Sequence, residues 1–133
     1  MYMLDTNICI YIIKKKSKKI LEEIKKNRHK GLSISSITLA ELEFGCANAD
    51  IMYTERNKVA LMEFLTILEI DLFDEKAAGE FGIMKKDLKD RNCLIGPFDM
   101  LIGAHAKSLD RILVTNNEKE FKRIKGLKIE NWA

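Results

Sequence analysis

Three acids, far apart in the chain, stand in the same kind of place. Asp5 follows the apolar stretch Tyr2-Met-Leu4, Glu41 lies just beyond Leu32 to Ile37, and Asp99 opens an apolar helix that leads into Ile112 to Thr115. Each stretch reads as a short buried strand. In an open parallel sheet the carboxyl ends of the strands face the crevice where ligands bind, so acids delivered there are aimed at chemistry. The polar turn Thr115-Asn-Asn117 reaches the same rim. Two ionised carboxylates about 4 Å apart repel by roughly 4 kcal/mol at an effective dielectric of about 20, and a third raises the cost further. Protons or a divalent cation must relieve it. An all-oxygen set suits Mg²⁺ or Mn²⁺, which can acidify a bound water, hold a phosphate and offset charge on a departing oxygen. The chemistry expected is hydrolysis of a phosphodiester without a side-chain nucleophile.

Taken singly, each acid also has a structural reading. Asp5, in Asp-Thr-Asn, reads equally well as a helix N-cap. Thr38 to Glu41 is Thr-x-x-Glu, the pattern of a capping box, and Asp99 alone suits a helix N-terminus. Only the set points to catalysis. Glu43, Glu118 and Glu120 read as exposed helix charge. Of the two histidines, His29 sits in a basic segment, while His105 is six residues past Asp99, about 9 Å along a helix and well off its face, and reads as a packing or hydrogen-bonding residue. No Ser-His-Asp arrangement, Walker loop or dinucleotide fingerprint is present.

The elements that must position these residues follow from periodicity and punctuation. Asp-Thr-Asn7 precedes the helical run Ile8 to Ile13. Ser17 caps a helix to about Asn27, Gly31 breaks it, and Leu32 to Ile37 alternates as a strand. Thr38 starts the next helix, and a longer one spans Thr54 to Thr66 before a strand at Leu68 to Leu72. Asp74 caps a helix reaching Asp90. After the loop Arg91 to Pro97 come the helix Phe98 to Ser108, the strand Ile112 to Thr115, a turn or short helix Asn116 to Phe121, and a last strand Leu127 to Trp132. Strands alternate with helices throughout, the pattern of a parallel sheet covered on both faces. Met62, Phe64 and Leu65 are candidates for a dimer or partner contact, with core packing as the plainer reading.

A chain of 133 residues with 47% apolar composition can bury a core without staples. Three widely spaced cysteines, none in a Cys-x-x-Cys pair, argue against a disulfide framework or a zinc site. No membrane-length apolar run or export signal stands out, so a cytoplasmic protein is expected. The formal charge of +3 is unevenly spread. Lys14 to Lys30 holds nine lysine or arginine residues against two glutamates, a net of +7, which leaves the rest at −4. Lys14, Lys15, Lys16, Lys18 and Lys19 are therefore candidates for contact with a polyanion such as RNA, against the alternative of a solvated helix face.

Tyr2-Met-Leu-Asp-Thr-Asn7, Ile37-Thr-Leu-Ala-Glu-Leu-Glu-Phe-Gly45, Ile95-Gly-Pro-Phe-Asp-Met-Leu-Ile-Gly-Ala-His-Ala106, Ile112-Leu-Val-Thr-Asn-Asn117 and the closing Gly126-Leu-Lys-Ile-Glu-Asn-Trp132 together resemble PIN-domain toxin ribonucleases of the VapC type. The match runs in order from end to end. It implies an α/β fold, a PIN-like three-layer α/β/α sandwich with a central, mainly parallel sheet, over residues 1–133 as one nuclease domain. It also implies a Mg²⁺- or Mn²⁺-dependent endoribonuclease leaving 5′-phosphate and 3′-hydroxyl ends, a toxin that dimerises and is neutralised by a cognate antitoxin. The family's invariant acids fall on Asp5, Glu41 and Asp99, which the resemblance makes catalytic and metal-ligating. Its fourth catalytic position falls on Asn117, with Thr6 and Thr115 as supporting hydroxyls. Because Asn117 brings no negative charge, one firmly held ion is expected, a second being recruited with the RNA. Two rivals are a Mg²⁺-binding receiver module of flavodoxin-like topology and a non-catalytic PIN domain that acts by binding protein. A receiver would want a lysine at the end of the fourth strand, where the first available is Lys119.

Overall fold

The computed structural model describes residues 1–133. Five strands, β1 (Tyr2–Leu4), β2 (Leu32–Ser35), β3 (Glu69–Asp71), β4 (Ile112–Val114) and β5 (Ile129–Glu130), form one all-parallel sheet in the order β3-β2-β1-β4-β5. Tyr2 pairs with Leu32 on one side and Ile112 on the other, and Leu4 pairs with Val114. The chain winds outward from β1 through β2 to β3, then returns to the far side of β1 for β4 and β5. The crevice expected of such a reversal lies between β1 and β4. A flavodoxin-like order of 2-1-3-4-5 would place β3 beside β1, so the receiver topology is not the one adopted.

Seven helices cover the sheet: α1 (Thr6–Ile13), α2 (Lys18–Asn27), α3 (Ser36–Ala47), α4 (Ile51–Leu65), α5 (Glu75–Asp90), α6 (Pro97–Ser108) and α7 (Glu118–Phe121). Strand side chains alternate between the faces, which divides the core in two. Tyr2, Leu4, Ile34 and Val114 pack with Ile8 and Ile12 of α1, Ile20 and Ile24 of α2, Leu42 of α3, and Leu61 and Phe64 of α4. Met3 and Leu113 pack on the opposite face with Met84 and Leu88 of α5, Met100, Ile102 and Ala104 of α6, and Phe121 of α7. The three-layer sandwich is thus built on a sheet that is parallel throughout. None of the helices is long and apolar enough to cross a membrane.

The caps are local and explicit. Ile8, Ile20 and Ala77 donate their backbone N–H groups to Asp5 Oδ1 (2.9 Å), Ser17 Oγ (3.2 Å) and Asp74 Oδ1 (3.0 Å). Gly31, at φ +88, turns the chain from α2 into β2 in a region that suits glycine, and its carbonyl accepts the Tyr2 N–H at 3.0 Å. Several boundaries differ from the sequence reading. The third helix starts at Ser36 with Ser35 as its cap, so Thr38 and Glu41 do not form a capping box. The next starts at Ile51, three residues before the expected Thr54, with Asp50 as a cap that makes no side-chain bond. The last strand shortens to Ile129–Glu130. Phe64 is buried in the core, whereas Met62 points outward at 60% exposure.

Candidate active site

Asp5 stands at the end of β1 and is 4% exposed. Its N–H donates to the Val114 carbonyl at 3.0 Å, which anchors it beside the end of β4. Burial pushes its carboxyl up to about 6, with smaller upward contributions from Asp99 and Glu41. Hydrogen bonds from the Thr115 hydroxyl and the Ile8 N–H pull the other way. Two residues expected at the rim thus act on Asp5 through charge, and a third through its hydroxyl.

The other acids are held by their own partners. The Thr6 hydroxyl, in the first turn of α1, donates to Glu41 Oε1 at 2.6 Å and lies 3.3 Å from Thr38 Oγ1. This bond ties α3 to the end of β1. Asp99, in the first turn of α6, is half-buried, and its carboxyl is raised first by burial, then by the charges of Glu120 and Glu41. The Asn117 amide lies 3.5 Å from Asp99 Oδ2 and donates to Glu120 Oε2 at 2.9 Å. The Asn117 backbone N–H donates to Thr115 Oγ1 at 2.9 Å, so the turn after β4 is folded onto the same spot.

Glu120 corrects the sequence reading. Its sequence context reads as exposed helix charge, yet it shares the Asn117 amide with Asp99. The available signal was its position three residues after Asn117, across the first turn of α7, where such pairs meet. Glu43 and Glu118 do lie apart: Glu43 is ion-paired with Lys58, and Glu118 accepts from Asn131. Of the basic candidates, Lys14 borders a cavity of about 280 Å³ between α1, α3 and α4 that Glu41 also lines. Lys15, Lys16 and Lys18 are exposed, and Lys19 reaches the carbonyl of Ala133 at 3.1 Å.

Every charge that acts on Asp5 or Asp99 is negative. Elsewhere the acids have cations to hand, as with Glu80 and Lys107 or Asp87 and Arg91. No three acidic, histidine or cysteine side chains close around one point at coordination distance, so the rim is an open, coupled set of oxygens rather than a cage. The donors are all oxygens, which suits the chemistry of Mg²⁺ or Mn²⁺, hard ions that keep several waters of their own.

The PIN domain family model matches residues 2–127. Ribonuclease VapC2 of Haemophilus influenzae is 44% identical over 132 residues, which cover 99% of this chain and 98% of the relative. The tRNA(fMet)-specific endonuclease VapC of Shigella flexneri is 39% identical, with the same coverage of both chains. Among solved structures, a chain of the Rickettsia felis VapBC2 complex bound to a promoter DNA fragment superposes with a TM-score of 0.94 at 40% identity, over 99% of this chain and 98% of that one. With the PIN domain model matching nearly the whole chain and with end-to-end coverage at these identities, the chain belongs to the VapC-type PIN-domain family.

Proposed function

We propose that this protein is a metal-dependent endoribonuclease and the toxin of a toxin-antitoxin pair. The observation that carries the reading is the rim itself: Asp5, Glu41, Asp99 and Glu120 from four segments, oriented by Thr6, Thr115 and Asn117, with no basic side chain among the charges acting on Asp5 or Asp99. The printed activities of the Haemophilus and Shigella relatives support the same conclusion.

Asp5, Asp99 and Glu41 would hold Mg²⁺ or Mn²⁺, with Asn117 and Glu120 alongside. When bound, such an ion would supply Lewis acidity toward a phosphate, a more acidic water and compensation for charge on the leaving oxygen. The chain's own residues set the geometry for this. Thr115 and the Ile8 N–H fix one Asp5 carboxylate orientation, Thr6 fixes that of Glu41, and Asn117 keeps Asp99 and Glu120 facing a common amide. Burial of Asp5 favours its protonated form, so a divalent cation competes with protons for that carboxylate near neutral pH. Lys14 lies where it can meet a phosphate of the strand passing Glu41. Products with 5′-phosphate and 3′-hydroxyl ends are expected.

A cognate antitoxin is the proposed partner, by analogy with the VapBC complexes of Rickettsia felis and Salmonella typhimurium. The surface that suits it is on α3 and α4, where Phe44, Ile51, Met52, Val59 and Met62 are all exposed. Homodimerisation is proposed as well. The decisive experiment incubates purified protein with total cellular RNA, transfer RNA included, with and without Mg²⁺ or Mn²⁺, and maps the new ends. Cation-dependent cuts that vanish in Asp99→Asn are expected. Cutting that survives both chelation and that substitution rejects the proposal.

A further inference from the structure

Two buried polar side chains that the acidic rim does not use meet beneath it. His105 of α6 is 1% exposed, and its Nδ1 lies 2.8 Å from the Oγ of Ser35, a fully buried residue at the end of β2. Ser35 Oγ already accepts the Ile37 N–H at 3.0 Å as the cap of α3. That hydroxyl keeps its hydrogen and a second lone pair for His105 Nδ1, and the Leu72 backbone also supports the ring. Phe73 packs edge-on against the imidazole, with ring centres 5.4 Å apart, and its N–H donates to Ser36 Oγ at 3.0 Å. Asp71, Asp74 and Arg111 are the charges that face the ring. Three segments thus converge on one bond: the junction of β2 with α3, the loop after β3, and α6.

The position of this bond in the chain gives it a consequence. Ser35 precedes Glu41 by six residues on the segment that becomes α3, and His105 follows Asp99 by six residues on α6. The bond links the two helices that deliver those carboxylates. A pair of apolar side chains would fill the same space without fixing a direction, whereas a buried hydroxyl and imidazole each need the other. We propose that His105 is a positioning residue, whose bond to Ser35 holds α6 against α3 and so sets how Asp99 faces Glu41. The inference rests on the nuclease reading above, and His105 itself touches neither RNA nor ion.

The test compares His105→Leu, which fills much of the volume without a hydrogen-bonding atom, with His105→Asn, which keeps a polar atom near the place of Nδ1. Mn²⁺ affinity is measured by calorimetry, kcat and KM on cleaved RNA, and folding by thermal denaturation. In His105→Leu, Mn²⁺ affinity and kcat are expected to fall roughly 10- to 100-fold while KM for RNA stays within about twofold, since misplacing a reacting group by about 1 Å costs on that order. His105→Asn should recover most of the loss. A His105→Leu protein with wild-type affinity and kcat, or an Asn variant as impaired as Leu, overturns the inference. Should His105→Leu not fold, Ser35→Ala takes its place, and wild-type kcat in that variant also overturns it. A wild-type protein that neither binds Mn²⁺ nor cuts RNA overturns the nuclease reading and this inference together.

Discussion

Asp5 combines two duties whose demands conflict. As a cap it needs only a side-chain oxygen, and as a ligand it needs a charge, which its burial opposes. Its folded carboxyl titrates at about 6 against an ordinary value of 3.8, so the folded protein binds this proton more tightly than the unfolded chain does. Stability is accordingly greatest below about pH 4 as far as this group is concerned, and is lost as pH rises through about 6, by about 3 kcal/mol in total. Asp5→Asn keeps the cap and removes the charge. Urea unfolding of the cation-free variant at pH 7.5 should show a gain of about 1 to 3 kcal/mol and a flatter profile between about pH 4 and 6, with cleavage abolished. A loss of stability would show that the charge is structural. At Glu120 the expectation is different: Glu120→Gln should leave unfolding unchanged and weaken Mn²⁺ binding by roughly tenfold. Unaltered affinity would return Glu120 to the exposed charges with which its sequence context grouped it.

Individual elements show why some of the site could be read directly and some could not. The positions of Asp5 and of the Thr115-Asn-Asn117 turn are legible because each follows directly on the apolar run of its own strand, whereas Thr6 enters only with the family resemblance. The start of α3 was obscured by Ser35, Ser36 and Thr38, three hydroxyls in a row of four, any of which can cap. The choice fell on Ser35, which also meets His105, seventy residues away, and local spacing carries no trace of that partner. Glu120 is half legible: Asn117, three residues earlier, is a local partner, but its neighbour Asp99 lies on another helix. The link between α1 and α3 gives a direct check. Thr6→Val deletes the 2.6 Å bond to Glu41. Stability should drop by about 1 kcal/mol, while kcat on RNA falls at least tenfold. Equal, small effects on both would mean that Glu41 needs no such anchor.

At the scale of the whole molecule, charge and apolar surface are separated. Lys14, at the start of the α1–α2 turn, lines the cavity shared with Glu41, and exposed apolar side chains lie on α3 and α4. Reversing Lys14, Lys15 and Lys16 to Glu should weaken RNA binding and make the slope of log affinity against log salt shallower by roughly 2, if each neutralises one phosphate. An unchanged slope removes the turn from the interface. Phe44→Glu combined with Met62→Glu should abolish binding of the antitoxin in a pull-down of the purified pair, with unfolding of the free toxin unaffected, because both side chains are more than half exposed. The sheet itself takes no part in either surface, and its borders explain why. Its outermost strands, β3 and β5, have three and two residues. Strips this short present too few unpaired amides for a neighbouring backbone to extend, which guards against open-ended stacking of copies. The surface open to any other chain is therefore one of helix side chains, whose specificity can change by point substitution without endangering the β scaffold underneath.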